Sequence, residues 1–573
     1  MILILRSLCC IVAASFLLFN CVGRKQFTPT GGQMALADPQ GKELFTTHCV
    51  SCHAMEQEEI GPRLGGVTSL LSEKELIAFI KNPNHAIESG NVRAVSLSRR
   101  YKMIMPPFDF LKEEEMRSIL GYIASETKLH NIEPLEVKPD TEASNARLGQ
   151  PVIKTDLKIE LEDFVTIPPS SDKMPRTRIA NMRPGPSHDG TLYVSDQRGL
   201  IYQVSGKEVT TFLDLRSQVE NFVNEPGLGT GLGSFAFHPE YLQNGLIYIT
   251  HTESVKGKPA DYFYNDSIKV ALQWVVSEWK IDNVKSAVFK GRKRELLRIN
   301  VPNVVHGTQD IGFNPEAVKG DKDYGLLYIG TGDGGSTISK HPELCHSLHS
   351  LLGTIIRIDP LGNNSKNGSY GIPADNPFFK ETGHVYKEIY AYGFRNPHRL
   401  AWHNGKLFSA EVGESNFEEV NVIVKGGDYG WNVREGNFAI SSKDLKNVYP
   451  VPEMADGKFE KPFLQYDHVD GNAISGGYVY EGAIEALKDK YLFGDIVNGR
   501  IFYANIDAKM SDQSIYELMI SRGGKATNLI EMSGSKRVDI RIEYDRYTKQ
   551  MYIMTKSDGK IRRITKAYTV NQP

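Results

Sequence analysis

The chain has 573 residues, with 67 Lys or Arg against 69 Asp or Glu, a formal net charge of −2. That balance lacks the basic surplus of a nucleic-acid binder and the acidic surplus of a strongly charged surface. At roughly 150 residues per domain the length allows three or four domains, or fewer where one is a large all-β unit.

The first residues run from a short start containing Arg6 into an apolar stretch, Leu8 to Phe19. That stretch is too short to cross ~30 Å of hydrocarbon and suits the core of a signal peptide. Residues 1–21 are therefore read as an export signal. It closes on "LLFNC", similar to a relaxed lipoprotein cleavage site with Cys21 as the lipidated residue and a lipid anchor to the membrane; simple cleavage nearby is the alternative. No later stretch is apolar enough to span a membrane.

Next comes "TTHCVSCHAMEQEEIGPRLGG". Two thiols separated by two residues, followed directly by a histidine, suit covalent attachment of haem through two thioethers, with the histidine as an axial iron ligand. Cys49, Cys52 and His53 hold those positions. A thioredoxin-like pair has no use for the histidine, and a zinc site would need a second ligand pair that the chain lacks. Further on, "MIMPPFDFLKEEEMRSILGYIAS" offers Met105, just before a proline-forced extended turn, as the second axial ligand, with Met103 as the alternative. Glu113 to Ser125 reads as a closing amphipathic helix. Residues 38–127 resemble class I cytochromes c in "CVSCH", "GPRLGG", "MPPF" and the terminal "YI" helix. The resemblance implies an all-α domain carrying one haem c, and bacterial attachment of such a haem implies export to the periplasm. With Cys9 and Cys10 in the leader and two thiols on haem, Cys345 stands alone and no disulfide framework forms.

The segment 128–152 is polar and without apolar periodicity, a linker. Beyond it, from residue 153 to 573, short apolar runs recur around Tyr193, Tyr248, Tyr328, Phe408, Leu492 and Tyr552, most preceded by turn residues and followed by clusters such as "DQRG", "GDGG" and "KSDG". Strands separated by Gly/Asp turns argue an all-β fold. Six unequal copies argue a six-bladed propeller; a pair of β-sandwiches would not explain six copies.

The connecting stretches carry the specific signal. "VVHGTQDIGF", "LLYIGTGDGG", "LLGTIIRIDP", "GIPADNPF", "EIYAYGFRNPHRLAW", "AEVGESNFEEVN", "VKGGDYGW" and "ISGGYVYEG" occur in this order, with "FAFHPEY" upstream. Together, over about residues 160–566, they resemble the soluble glucose/sorbosone dehydrogenase family, six-bladed quinoproteins that use pyrroloquinoline quinone (PQQ) and calcium.

Oxidising a sugar hydroxyl needs a base for the O–H proton, and a histidine is suited to that task. The resemblance gives this role to His306, although Thr308 and Gln309 stand where the family usually has glycines, which leaves the sugar open. PQQ carries three carboxylates, which call for guanidinium forks. Arg395 and Asn396 match the family's quinone-contacting pair, and the backbone carbonyls of Gly413 and Glu414 match the loop that offers oxygens to the quinone-bound calcium. Glu418 and Glu419 follow where acidic residues are expected.

Where some members place a quinone-touching lysine the chain has Val497 and Asn498, with Arg500 as the substitute cation; Arg537 and Arg541 are further candidate quinone contacts. Gly229 replaces an acidic or amide residue of the family. His341, Cys345 and His349 stand four apart, as a metal site on one helix face would require, but a lone thiol is more commonly buried as a small hydrophobe. The expectation is a sugar dehydrogenase that passes electrons to its own haem and then to a downstream cytochrome or quinone acceptor. The alternative is a propeller that binds a glycan or a protein without catalysis, beside a separate relay cytochrome.

Overall fold

The computed structural model describes residues 39–569 apart from 51, 60, 103, 138–146, 452–456, 508–509 and 511–512. The expected leader, Cys21 and the alternative ligand Met103 lie outside the described residues.

Among the described residues six helices come first: α1 (Pro39–His48), α2 (Val67–Leu70), α3 (Glu73–Lys81), α4 (Pro83–Glu88), α5 (Val92–Tyr101) and α6 (Glu113–Leu129). Their ends follow local chemistry. Ser72 and Glu75 form a reciprocal capping box at the start of α3. Pro83 occupies the first turn of α4, where a missing N–H costs nothing. Glu113, Glu114 and Glu115 set negative charge against the positive N-terminal end of α6. That helix runs to Leu129, one turn past the sequence expectation.

The crossing of α1 on α6 depends on Gly41, where a Cβ would lie 2.1 Å from the carbonyl oxygen of Ser118. Phe45 and Tyr122 pack beside the crossing with ring centroids 5.3 Å apart. Met116, Ile119, Leu120 and Ile123 line the buried side of α6, each worth roughly 1.5–3 kcal/mol on burial. Among the described residues no helix is long and apolar enough to cross a membrane.

Six four-stranded antiparallel blades follow. Blades one to four start on the inner strands Ile179–Pro184, Leu232–Phe237, Asp310–Phe313 and Pro397–His403. Blade five runs from Ile474–Val479 to Tyr516–Arg522. Blade six takes its inner three strands from the C-terminal end and its outer strand, Ile153–Thr166, from the start of the propeller. This first strand also pairs in parallel with Tyr516–Arg522, so both ends of the propeller are held in one continuous sheet.

All six apolar runs noted in the sequence fall on the second strand of a blade: Leu192–Asp196, Leu246–Glu253, Leu327–Thr331, Lys406–Glu411, Lys490–Asp495 and Gln550–Thr555. A second strand is covered on both faces by neighbouring blades, which is why these runs are apolar without strict alternation. The axial channel is closed by one polar side chain from each inner strand. Arg183 is paired with Asp310, Ser234 donates to Asp310 at 3.2 Å, Arg399 lies 3.2 Å from Glu543, and Tyr478 donates to Glu543 at 3.0 Å. Two cations and two carboxylates balance there, and the ring separates the two mouths of the channel.

Candidate active site

Cys49, Cys52, His53 and Met105 of the helical domain line part of a cavity of about 240 Å³. The turn from Cys49 to His53 closes on backbone bonds from Cys52 and His53 to the Cys49 carbonyl, at 3.1 and 2.9 Å. His53 lies 2.7 Å from the Pro62 carbonyl through Nδ1. Nδ1 therefore donates and Nε2 is left as the electron-pair donor for a metal. Burial holds the imidazole below its usual pKa, and hence neutral. Gly61 makes room for the ring, since a Cβ there would stand 2.5 Å from its Cε1. Two thiols outside any disulfide, one oriented imidazole and one thioether around a single apolar cavity fit a covalently held haem.

The remaining wall of that cavity belongs to the propeller. Blade one supplies Arg178 and Gln197, the turn before blade two supplies Pro226, Gly227 and Leu228, and blade six supplies Arg537, Asp539 and Lys556. These residues sit just before inner strands or just after second strands, the positions that a propeller gathers at one mouth of its axis. Arg178, Gln197 and Lys556 were not among the residues expected from the sequence. Their shared place in the six-fold repeat is the signal that could have found them.

Lys556 donates to Gln197 Oε1 at 2.8 Å. Burial, and then the nearby Arg541, push its ammonium well below the usual lysine range even though Asp539 works the other way. Burial likewise lowers Arg541 to about 10. Buried cations short of counter-charge favour an anionic guest.

His306 stands at the same mouth, before the inner strand of blade three, at a positive φ of 54°. Its Nδ1 lies 2.6 Å from Asp333 Oδ1. Asp333 is fully buried. Burial alone would raise its pKa, but His306 and Arg395 hold the carboxyl down at about 2. The charged carboxylate keeps the proton of His306 on Nδ1 and turns a basic Nε2 outward.

Gly229 packs on the backbone just ahead of His306, and a Cβ there would lie 2.5 Å from the carbonyl carbon of Val305. The missing acidic or amide side chain thus has a steric cause. Thr308 is buried, and its carbonyl accepts from Thr250 at 2.9 Å. Gln309 donates to the Leu228 carbonyl at 2.8 Å. Gln309 Oε1 and Asn396 Oδ1 are buried acceptors without a partner among the described residues, and Asn396 Oδ1 lies beside Gly332, next to Asp333. Such orphaned groups at the mouth suit a polar guest.

Other expected residues are placed differently. Arg395 is 3% exposed and committed within the protein: Nε donates to Glu414 at 2.6 Å, and Nη1 to the carbonyls of Val412 and Gly413 at 3.1 and 2.6 Å. It acts as an internal brace, with Nε and Nη1 both taken inside the protein. One of these bonds takes the Gly413 carbonyl, one of the two backbone oxygens expected to bind calcium, while Glu414 is held through its side chain. A guanidinium thus stands on the Gly413 carbonyl, where one cation contact was expected.

Arg500 turns away from the mouth, its Nε and Nη2 on Glu517 at 2.8 Å each, so it does not replace the missing lysine. Val497 uses its carbonyl to accept from Val538, and Asn498 accepts from the Arg500 backbone. Glu418 and Glu419 lie buried in the strand Phe417–Ile423, Glu418 bonded to His468 at 2.9 Å. Cys345 is buried beside the Ser336 hydroxyl at 3.3 Å, while His341 faces Glu343 and His349 faces the His384 carbonyl. The three do not converge.

The helical domain is fastened over this mouth. Lys102 donates to Asn416 Oδ1 and to the Lys446 carbonyl, at 3.0 and 2.6 Å. Glu435 fixes the receiving loop by accepting from the backbones of Glu414, Ser415 and Asn416 at 2.7–2.9 Å.

Comparison with known proteins agrees with this two-part layout. Residues 39–127 match the family model for cytochrome c, and residues 182–563 match that for glucose/sorbosone dehydrogenase. The chain is similar to the HIPL2 protein of Arabidopsis thaliana, 29% identical over 404 residues, 61% of this chain and 55% of that protein. It is also similar to quinoprotein glucose dehydrogenase B of Acinetobacter calcoaceticus, 30% identical over 242 residues, 40% of this chain and 44% of that protein. The chain spans about half the length of the curated relatives it matches. A crystal structure of a glucose dehydrogenase shares the fold, with a TM-score of 0.50 at 18% identity over 68% of this chain and 96% of that one. With more than half of its length matched by one model, the chain belongs to the glucose/sorbosone dehydrogenase family and carries a cytochrome c domain ahead of its propeller.

Proposed function

We propose that the protein oxidises an aldose-type sugar with PQQ and passes the electrons to its own haem c. The observation that carries this reading is the His306–Asp333 pair at 2.6 Å, at the mouth whose rim also walls the haem cavity. Asp333 fixes the tautomer, and His306 Nε2 accepts the proton of the sugar hydroxyl as the C–H bond gives up its hydride. The imidazolium so formed is stabilised by the buried carboxylate. When bound, PQQ supplies the two-electron acceptor and the haem the one-electron acceptor. Arg541, Lys556 and the Asn396 amide are the groups suited to hold the quinone's carboxylates and carbonyls. The helical domain covers the mouth and keeps bulk water from it. Export to the periplasm, with Cys21 as a lipid attachment point, belongs to the same proposal, because haem is attached to such domains outside the cytoplasm.

One observation favours a second reading, a propeller that binds without oxidising: Arg395 is committed to Glu414 and the 412–413 carbonyls. Reconstitution separates the two. Purified haem-bearing protein is titrated with PQQ and mixed with a panel of aldoses while haem absorbance is followed. Sugar-dependent haem reduction that requires PQQ supports the dehydrogenase; PQQ-independent sugar binding with no reduction supports the binding module.

A further inference from the structure

The cytochrome helices do not close their own haem cavity. The propeller supplies the rest of the wall, and two of its contributions are charged residues just ahead of the innermost strand of blade six, Arg537 and Asp539. The Arg537 guanidinium lies 5.7 Å from the centroid of the Phe108 ring, which is itself part of the cavity wall. Its Nε is held on Asp539 at 3.1 Å. The positive field of this wall reaches the helical domain. His48, beside Cys49, is held down at about 4 by burial first, then by Arg537, Arg178 and Arg198.

We propose that the propeller completes the haem pocket, with Arg537, balanced by Asp539, setting the charge at the haem edge and with it the reduction potential. A haem brings two propionate carboxylates and an iron that loses one unit of positive charge on reduction. A guanidinium in the cavity wall pairs with a carboxylate and stabilises the reduced iron relative to the oxidised one. One unit charge about 8 Å away at an effective dielectric constant of ~20 is enough to shift such an equilibrium tenfold or more. Asp539 moderates the effect. The electron-accepting strength of one domain is thus fixed in part by the other, so the haem acquires its working potential only when docked. This role requires the covalent haem alone and holds whether or not the propeller oxidises sugar.

The test is a potentiometric titration of the haem in the full chain, loaded with haem and free of PQQ. Arg537→Gln should move the reduction equilibrium about tenfold toward the oxidised form, about 59 mV for one electron, with the methionine–iron charge-transfer band retained. Arg537→Lys, which keeps the charge, should stay near the parent value, and Asp539→Asn should move the equilibrium the other way. An Arg537→Gln potential equal to the parent's, or an equal shift in Arg537→Lys, overturns the proposal. Where Arg537→Gln loses the band or fails to fold, Asp539→Asn decides: a shift toward the reduced form supports the proposal, and no shift overturns it.

Discussion

Asp333 Oδ1 and His306 Nδ1 lie 2.6 Å apart, and the carboxylate has no solvent exposure while the imidazole keeps an open edge. The pair joins two connections of blade three, one ahead of its inner strand and one after its second strand, so strand pairing sets the distance between them. A buried carboxylate that is also bound by the Gly335 backbone at 2.8 Å is rigid, and it fixes the ring it holds. This is the geometry of a base with an orienting partner.

On the dehydrogenase reading, His306→Ala should slow sugar-driven haem reduction by about 10²–10⁴-fold, the usual contribution of a positioned base. Asp333→Asn should also slow it, because an amide no longer dictates the imidazole tautomer. Both variants should still accept electrons into the haem from a chemical reductant. Stopped-flow haem absorbance with sugar and with reductant separates the two steps. A His306→Ala protein as fast as its parent would remove His306 from the chemistry.

Met105→Ala should abolish the methionine–iron charge-transfer band, whereas Met103→Ala should leave it, since Met105 lines the same cavity as His53. Gly61→Ala addresses the His53 side of the cavity. Its methyl would stand 2.5 Å from His53 Cε1 and must displace the ring or the 61–62 turn. Haem content should fall, or the spectrum should lose its low-spin character, as read by pyridine haemochrome assay and absorbance.

Much of this was legible in the sequence because it is local. The Cys-x-x-Cys-His turn brings three haem contacts within five residues, and each apolar run belongs to one second strand. The pairing of His306 with Asp333 was half legible: the base stood out, but its partner is 27 residues on and reaches it only through blade pairing. Arg395 misled for the opposite reason. Its motif matches a quinone contact, yet Glu414, 19 residues later, is folded back onto it by the blade-four hairpin and takes the guanidinium first. The wall of Arg178, Gln197 and Lys556 was not legible at all, because it forms only when the first and last blades meet.

His468 offers a pH-dependent test of domain docking. Its Nε2 lies 2.9 Å from Glu418 and its Nδ1 3.2 Å from the Lys102 carbonyl of the helical domain. Burial would lower its pKa, but Glu418, Glu435 and the Lys102 carbonyl raise it to about 9. A folded-state value above the unfolded ~6.5 means that this stabilisation is complete below about pH 6.5 and is lost as pH rises through about 9. Resistance to thermal unfolding should therefore fall as pH rises between those limits, by an amount on the order of 3 kcal/mol. His468→Gln should lower stability at pH 6 and flatten the profile across this window. A variant profile as steep as the parent's would assign the titration to another group.

The shared cavity also predicts how electrons travel. Cys49, Cys52, His53 and Met105 form one side of it, and the rim of the propeller mouth forms the other. Donor and acceptor sites are then held together in one molecule, with no diffusional encounter between them. Linking two sites in this way replaces free concentration by an effective concentration in the millimolar range. After mixing with PQQ and sugar, haem reduction should be first order, with a rate constant independent of protein concentration. It should also be nearly insensitive to salt, because no charged partners have to find each other. Cys52→Ala should leave a propeller that reduces a small dye with sugar but has no normally attached haem to receive the electrons, which separates the two halves of the reaction. A rate constant that climbs in proportion to protein concentration would mean that haems are reduced between molecules. The cytochrome would then be a relay for some other donor, and the binding-propeller reading would gain the stronger position.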